Sequence, residues 1–402
     1  MTTSCIRISS DILIGKNEDK TFDFLSKNLH QIGVTLESTS VILNLRDSIR
    51  RSIISSSSDC IIIIGENDIE SHFAIKNSVC DCFGLTLAKN ENLIRFLDNY
   101  SKSHTIPTNI KNEYFLPEGA SILPNAFDYR QGWFLEDDKI IIYLPEDMDN
   151  IEYIFNNSLI PFFAKVNNCL YDHTKILLFG TTENDVKDVV ADLFNDEIHF
   201  SFYEEDMLLT ILLRYQSDIN KTLLNDCIAS IYQRLRKFII TNEDTSIYQL
   251  ALDLLTLSNK SLCLYETITA GNIALNLSKC NSVAKHLIES CRVGFTQNNI
   301  VRELNISQSV ISKYGFNSVN TAYEIAGALL DNTQCDLVLL TLGNINEDKI
   351  CYIAVGDNDG IHIYKSNIND KNKAINVLSN SAIYYLIKKL KQNDLYFNKI
   401  IV

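Results

Sequence analysis

Residues Asp59 to Ile64 read DCIIII, and this stretch decides the fold class of the chain. Four consecutive isoleucines leave no polar face, which is the pattern of a strand buried on both faces of a parallel sheet. On either side, short aliphatic runs alternate with longer segments of helical periodicity. That alternation predicts βαβ units and a mostly parallel sheet covered by helices.

The same alternation continues to the C-terminal part of the chain. A short unit from Lys175 combines a strand, a helix and two paired strands, which predicts a small α+β module. A second α/β unit begins at Ser261, and Asn358-Asp359-Gly360 is a hairpin signal between two of its strands. The chain has 402 residues, of which 46% are hydrophobic and 21% charged, so two or three globular domains are expected.

Charge and cysteine usage exclude several classes of protein. The net charge of -14 argues against a nucleic-acid scaffold, because phosphate binding needs a positive surface. The eleven cysteines include no CxxC pair and the seven histidines are dispersed, so we expect reduced thiols in a cytoplasmic protein and no zinc site. No signal peptide is predicted, and the longest aliphatic run, Cys60–Ile64, is far too short to span a membrane.

A series of short motifs occurs in a fixed order along the chain. They are SSDILIG (9–15), IIIIGENDIESHF (61–73), PEGA (117–120), LPN (123–125), YLP (143–145), YETITAGN (265–272), FTQNNI (295–300) and GFNSV (315–319). In order and in sequence they resemble the motifs of the long form of the CinA (competence/damage-inducible protein A) family, over essentially the whole chain.

The resemblance implies an α/β protein with two three-layer α/β domains joined by a small α+β module. The expected parts are a MoaB-like, molybdopterin-binding domain (1–170), a KH-like module (171–218), a helical linker (219–245) and a CinA C-terminal domain (246–402). The family's C-terminal domain is a nicotinamide-nucleotide amidase, which deamidates nicotinamide mononucleotide. A homodimer and a small-molecule nucleotide as partner are also implied, with no nucleic acid and no membrane.

Hydrolysis of an amide needs a nucleophile, a base that activates it and donors for the oxyanion. The resemblance implies hydroxyl nucleophiles activated by a lysine, and it places the hydroxyls on Thr267 and Thr269. The lysine position is Ile300 and a nearby tyrosine position is Phe295, which removes both polar groups. A small serine turn of the family aligns near residues 282–284. We therefore expect an amidase that is weakened or lost, with an inactive nucleotide-binding or scaffold protein as the alternative.

Four further residues are candidate ligand-binding residues of the C-terminal domain: Glu266, Gly271, Ser318 and Gly343. Each also has a purely structural interpretation. Threonine and serine at the start of a helix commonly cap it, and glycine commonly fits a tight turn. On this second interpretation, YETITAGN is an ordinary strand-to-helix turn.

The N-terminal motifs resemble a metal-dependent pyrophosphatase site for ADP-ribose-type nucleotides. The candidate residues of this cleft are Asp11, Gly65 and Asp68. Only one glycine of the family's phosphate loop remains, and its two aspartates fall on His72 and Phe73, so pyrophosphatase activity is not expected. No cofactor is predicted with certainty. A divalent metal on Asp68, Glu70 and His72 is an open alternative to a solvated acidic turn.

Two nucleic-acid interpretations remain. The KH-like module has GTTE (180–183) where RNA-binding KH domains have GXXG, so RNA binding is not expected. Residues 299–315, NIVRELNISQSVISKYG, have the pattern of a helix-turn-helix, with Ser307, Gln308 and Ser312 toward bases. In the CinA resemblance the same stretch is two short packing helices.

Overall fold

The computed structural model describes residues 1–16, 19–66, 68–167, 171–280, 287–368 and 370–392. The chain forms two compact units, Met1–His173 with Arg214–Asn220, and Thr174–Leu213 with Lys221–Val402. The finer division into four segments stays a prediction. Within the described residues, every helix is too short or too polar to cross a bilayer.

The first unit is built from eight strands and seven α-helices within the described residues. The strands are β1 (Thr3–Ile8), β2 (Leu36–Ile42), β3 (Cys60–Gly65), β4 (Leu87–Lys89), β5 (Phe115–Pro117), β6 (Ser121–Leu123), β7 (Gly132–Glu136) and β8 (Ile140–Pro145). The helices are α1 (Ser10–Leu13), α2 (Lys20–Gln31), α3 (Arg46–Ser55), α4 (Ile69–Phe83), α5 (Glu91–Tyr100), α6 (Met148–Ile154) and α7 (Ile160–Asn167).

Strand β3 lies in the middle of a six-stranded sheet of order β2-β1-β3-β8-β7-β6. It pairs in parallel with both β1 and β8. Ile61 and Ile63 belong to the core cluster on one face, and Cys60, Ile62 and Ile64 to the cluster on the other. All five side chains are fully buried. The expectation from DCIIII, a parallel strand covered on both faces, is confirmed.

Helix starts in this unit are set by short polar side chains. Asp19, Asp68, Asn90 and Asp147 each precede a helix and accept a hydrogen bond from a backbone N–H of its first turn. Such a cap satisfies one of the N–H groups that an α-helix leaves unpaired. Three of these caps are aspartates, so acidic residues of this unit stabilise the starts of its helices.

The second unit starts with the small α+β module. The strands that lie wholly or mostly in this unit are β9 (Tyr171–Phe179), β10 (Ile198–Glu205), β11 (Leu208–Gln216), β12 (Ile239–Thr241), β13 (Leu262–Glu266), β14 (Ile288–Val293), β15 (Leu337–Leu342), β16 (Ile350–Asp357) and β17 (Gly360–Asn367). The helices are α8 (Glu183–Val190), α9 (Lys221–Leu235), α10 (Ile247–Ser258), α11 (Asn272–Lys279), α12 (Gln297–Leu304), α13 (Gln308–Tyr314), α14 (Val319–Thr333) and α15 (Lys371–Gln392).

These strands form a four-stranded sheet of order β10-β11-β9-β12 and a five-stranded sheet of order β14-β13-β15-β16-β17. In the second sheet, β13 pairs in parallel with β14 and β15, and β16 and β17 are antiparallel. Alternate residues of β13 and β15 enter core clusters on opposite faces: Leu262, Leu264, Leu337 and Leu339 on one face, and Cys263, Tyr265, Val338, Leu340 and Leu342 on the other. The α/β fold class is confirmed, and the predicted hairpin joins β16 to β17 through Asn358 and Asp359.

The sequence pattern did not predict every element. Strands β2 and β14 lie at sheet edges, and most of their residues are half-buried or exposed. An edge strand needs no continuous aliphatic run, so hydrophobicity does not mark it. A π-turn at Phe155–Leu159 lies between α6 and α7, and β12 begins at Ile239, shortly after α9 ends at Leu235.

Candidate functional site

The YETITAGN turn, residues 265–272, lies at the carboxyl edge of the five-stranded sheet. Strand β13 ends there at Glu266, which is level with Val293 of β14 and Thr341 of β15. The carboxyl ends of parallel strands form the edge where open α/β sheets place their ligands. The predicted turn is therefore in the position that a site of this fold requires.

The carboxylate of Glu266 is fully buried and holds the start of helix α11. Its Oε2 accepts hydrogen bonds from the Thr269 hydroxyl at 2.7 Å and from the backbone N–H groups of Gly271 at 3.0 Å and Ile273 at 3.1 Å. Its Oε1 accepts a fourth from the N–H of Ala274 at 2.9 Å. The negative charge lies at the positive end of the helix, so Glu266 serves as a buried helix cap.

The residue before α11, Gly271, has a φ of 91° and no side-chain cap of its own. This left-handed conformation strains any residue with a Cβ atom. Ala270 has a φ of 51° and accepts that strain at an exposed position. The glycine thus permits the turn that brings the first N–H groups of α11 onto Glu266.

The two candidate hydroxyls are engaged inside the protein. Thr267 Oγ1 lies 2.9 Å and 3.0 Å from the carbonyl oxygens of Thr341 and Gly343, and it accepts the N–H of Gly343 at 2.9 Å. Thr269 Oγ1 donates to Glu266 and lies 2.8 Å from Thr341 Oγ1. Thr269 is fully buried, whereas Thr267 is half-buried. These contacts tie the turn to the end of β15.

The residues at the positions of the family's lysine and tyrosine, Ile300 and Phe295, differ in solvent exposure. Ile300 is 1% exposed and packs in the core with Tyr265 and Val301. Phe295 is 77% exposed, the largest value among the exposed large hydrophobic residues of the described chain. Position 300 is therefore a core position, where burial of an ammonium group would be costly.

Gly294 is a structural residue of this site that the sequence motifs did not indicate. Its N–H donates to the carbonyl oxygen of Glu266 at 2.8 Å. A Cβ at this position would lie 2.7 Å from the Tyr265 hydroxyl and 2.9 Å from Ile300, closer than real Cβ contacts. Gly294 follows the edge strand β14, whose residues IESCRV form no apolar run, so the sequence contains no signal for it.

Of the other candidates, Gly343 joins the turn and Ser318 caps a helix. Gly343 is bonded to Thr267 through both its N–H and its carbonyl oxygen. Ser318 Oγ accepts the N–H of Thr321 at 3.2 Å at the start of α14 and lies 2.9 Å from the Gly315 carbonyl oxygen. The structure therefore brings Glu266 and Gly271 together with Thr267, Thr269 and Gly343. The serine turn expected near residues 282–284 lies outside the described residues.

Several acidic side chains lie at the carboxyl edge of the six-stranded sheet. Glu66 accepts the backbone N–H and the hydroxyl of Ser10, at 2.9 Å and 3.1 Å. Glu146 pairs with the buried guanidinium of Arg7, and burial, opposed by Arg7, leaves the pKa of Glu146 above its usual value. Asp11 pairs with Lys16 at 3.1 Å. This edge presents several carboxylates where a diphosphate needs positive charge.

The remaining N-terminal candidates also have structural roles. A Cβ on Gly65 would lie 2.6 Å from Ile75 and 2.9 Å from the ring of Tyr143, so only glycine fits. Asp68 accepts hydrogen bonds from the N–H and hydroxyl of Ser71. Burial works against its ionisation, yet these bonds hold the pKa of Asp68 below its usual value.

The metal cluster of Asp68, Glu70 and His72 does not form. His72 is buried, its ring packs edge-on against Tyr143 at 5.2 Å, and its Nδ1 lies 3.4 Å from Glu113. Within the described part of the chain, no group of three or more histidine, cysteine or acidic residues has the arrangement of a metal site.

The helix-turn-helix segment contains two short helices, α12 and α13, separated at Asn305, which has a φ of 52°. Ile300, Val301 and Leu304 are buried, so α12 packs against the core. In α13 no residue is fully buried, and Lys313 is its only cation. The loop over residues 180–183 ends in a helix cap, because Thr182 accepts the N–H of Asp185 at the start of α8.

Comparison with known proteins gives relatives along most of the chain. No family model matches. The CinA-like protein of Kosmotoga olearia is 24% identical over 357 residues, 85% of each chain. A competence-damage inducible protein of Caldicellulosiruptor bescii is 21% identical over 97% of this chain and 99% of its own length. The resemblance to CinA proteins is thus confirmed.

Solved structures match parts of the chain. The crystal structure of CinA from Thermoplasma acidophilum corresponds to 39% of this chain and 94% of its own, with 16% identity and a TM-score of 0.36. The molybdopterin biosynthesis enzyme MoaB from Thermus thermophilus corresponds to 42% and 96%, with 10% identity and a TM-score of 0.28.

Proposed function

We propose that this chain, a homologue of the CinA-like proteins over most of its length, is a nucleotide-binding protein on the family fold that does not hydrolyse nicotinamide mononucleotide. One observation carries the absence of hydrolysis: the hydroxyls of Thr267 and Thr269 are both hydrogen-bonded within the protein. A nucleophilic hydroxyl has to reach the substrate carbonyl and pass its proton to a base. Here Thr269 is fully buried and Thr267 is bonded to the main chain of β15 and the residues after it.

The environment of the turn supports the same proposal. In the family the activating group is a lysine, and the equivalent Ile300 is part of the core. Glu266 is the one acid bonded to a candidate hydroxyl, and its two oxygens already accept three backbone N–H groups. It is therefore committed to the fold of the turn. At the other sheet, His72 and Phe73 stand where the family has its two aspartates, which argues against metal-dependent diphosphate hydrolysis.

We expect purified protein to release no ammonia from nicotinamide mononucleotide above the level of a heat-denatured blank. The assay runs beside Thr267→Ala, with known additions of ammonium to establish recovery. Calorimetric titration of the same preparation with nicotinamide mononucleotide should give saturable binding without turnover.

The possible outcomes separate the two parts of the proposal. Ammonia release by the wild type that Thr267→Ala abolishes would contradict the absence of hydrolysis and identify this hydroxyl as the nucleophile. Release by both proteins would contradict it as well and would point to another nucleophile. A titration without binding heat, with no ammonia formed, would contradict nucleotide binding instead.

We also expect no retardation of random duplex DNA in a gel shift at low salt. The segment over residues 299–315 offers two cations, Arg302 and Lys313, in a chain of net charge -14. DNA binding at low salt depends chiefly on phosphate neutralisation. A shift that Lys313→Gln removes, and that the exposed substitution Lys373→Gln leaves intact, would establish the helix-turn-helix interpretation.

A further inference from the structure

A cavity of about 400 Å³ lies in the second unit, between strand β12 and the C-terminal half of helix α15. Its charged lining residues are three lysines, Lys237, Lys388 and Lys391. Cavities that hold small molecules commonly have volumes of about 300–1,000 Å³. The cavity shares no lining residue with the YETITAGN turn, so it is a separate site from that of the proposed function.

The three lysines come from two separate parts of the chain. Lys388 and Lys391 lie near the C-terminus of α15, where cations are favoured by the partial negative charge of a helix end. Lys237 lies in the connection between α9 and β12, so that preference does not explain it. In a chain with fourteen more acidic than basic residues, a cavity whose charged groups are all cationic indicates an anionic occupant.

The deepest of the three cations is Lys391. Its Nζ donates to the carbonyl oxygen of Ile240 at 2.7 Å. Burial lowers the pKa of Lys391, and the nearby carboxylate of Glu243 partly opposes this effect. An anion in the cavity would add a further favourable interaction with the ammonium form. Lys237 and Lys388 are exposed and supply charge at the rim.

The other lining residues make an apolar floor. Ile240 and Ile387 are buried, and Ile239 and Tyr384 are half-buried. The ring of Tyr384 is held flat against Phe179, with ring centroids 4.0 Å apart and an angle of 12° between the planes. A floor fixed in this way is formed before any ligand arrives, which limits the ordering that binding requires.

We propose that this cavity binds a small organic phosphate, with its phosphate group at the lysines and an apolar or aromatic body on the floor. A phosphate dianion balances several ammonium groups better than a single carboxylate does, and lysine binds phosphate as a point charge. Isoleucine and tyrosine side chains favour an uncharged ring over bulk solvent in the rest of the cavity.

The test is calorimetric titration of the full chain with AMP, adenosine and inorganic phosphate as probes. We expect AMP to bind more tightly than either part alone, and its affinity to fall as salt is raised. The double variant Lys237→Gln/Lys388→Gln should weaken AMP binding at least tenfold. The matched control, Lys373→Gln, makes the same kind of charge change at the other end of α15 and should change AMP affinity less than twofold.

Each contrary result has a distinct meaning. Absence of AMP binding, or equal weakening by the control variant, overturns the site. Phosphate binding as tightly as AMP overturns the role of the floor, and adenosine binding as tightly as AMP overturns the role of the lysines. These probe comparisons use the wild type alone, so they stand even if the double variant folds poorly. Nicotinamide mononucleotide is also a small organic phosphate, so its titration is repeated with the double variant: binding that survives belongs to the turn, and binding that is lost together with AMP binding belongs to the cavity. The ammonia assay involves none of these lysines.

Discussion

Replacing Glu266 with alanine is expected to lower the free energy of unfolding of the second unit by roughly 3–5 kcal/mol. The substitution leaves the Thr269 hydroxyl and three backbone N–H groups without their acceptor. Each buried donor left unpaired costs about 1–3 kcal/mol, and water entering the vacated space recovers part of the loss. Glu266→Gln keeps one acceptor oxygen and should have an intermediate effect.

Denaturation in urea, followed by far-ultraviolet circular dichroism, measures this effect. The single tryptophan, Trp133, lies in the first unit and its fluorescence reports on that unit alone. Glu289→Ala, on the exposed side of β14, is the matched control and should change stability by less than about 0.5 kcal/mol. A loss below about 1 kcal/mol for Glu266→Ala would show that the carboxylate is not the anchor of the turn, and its availability to a ligand would have to be reconsidered.

The sequence predicted the central strands of both large sheets because those strands are buried on both faces. An aliphatic run such as DCIIII has no other stable place in an α/β protein, and its position then fixes the carboxyl edge at Gly65. The same reasoning located β13, and with it the turn at residues 265–272. Edge strands such as β14 carry alternating exposed residues and gave no comparable signal.

Sequence patterns did not predict the hydrogen bonds within the site. Thr267 is bonded to Thr341 and Gly343, more than seventy positions away, and no local spacing predicts that pairing. The motif around Glu266 predicted a ligand-binding residue, and the structure shows its oxygens occupied by the start of α11. Polar residues in a motif can thus keep their positions while their hydrogen bonds are made within the protein.

The second large effect is expected in the first unit, at the buried ion pair of Lys76 and Glu113. Their side chains are 2% and 6% exposed, with Nζ and Oε2 2.8 Å apart. Glu113→Gln should destabilise the unit by about 3–5 kcal/mol, because it leaves the ammonium of Lys76 buried without its counter-charge. The double variant Lys76→Met/Glu113→Gln removes both charges and should recover much of the loss.

The same pair predicts a specific dependence of stability on pH. Burial alone would raise the pKa of Glu113, but Lys76 and His72 outweigh it and lower that pKa from 4.5 to about 2. A carboxyl whose folded pKa is below its unfolded pKa stabilises the native state above the unfolded value. This contribution should be complete above about pH 4.5 and be lost as the pH falls toward 2.

Urea denaturation followed by Trp133 fluorescence tests the effect of Glu113→Gln and the dependence of stability on pH. Trp133 reports on this region because it stacks on Tyr143, whose ring contacts His72. We expect the wild type to lose stability between pH 4.5 and 2 more steeply than Glu113→Gln, because the variant has no carboxyl to protonate there. Equal slopes would show that Glu113 does not titrate in this window. A double variant no more stable than Glu113→Gln alone would show that the single loss arises from packing and not from an unpaired charge.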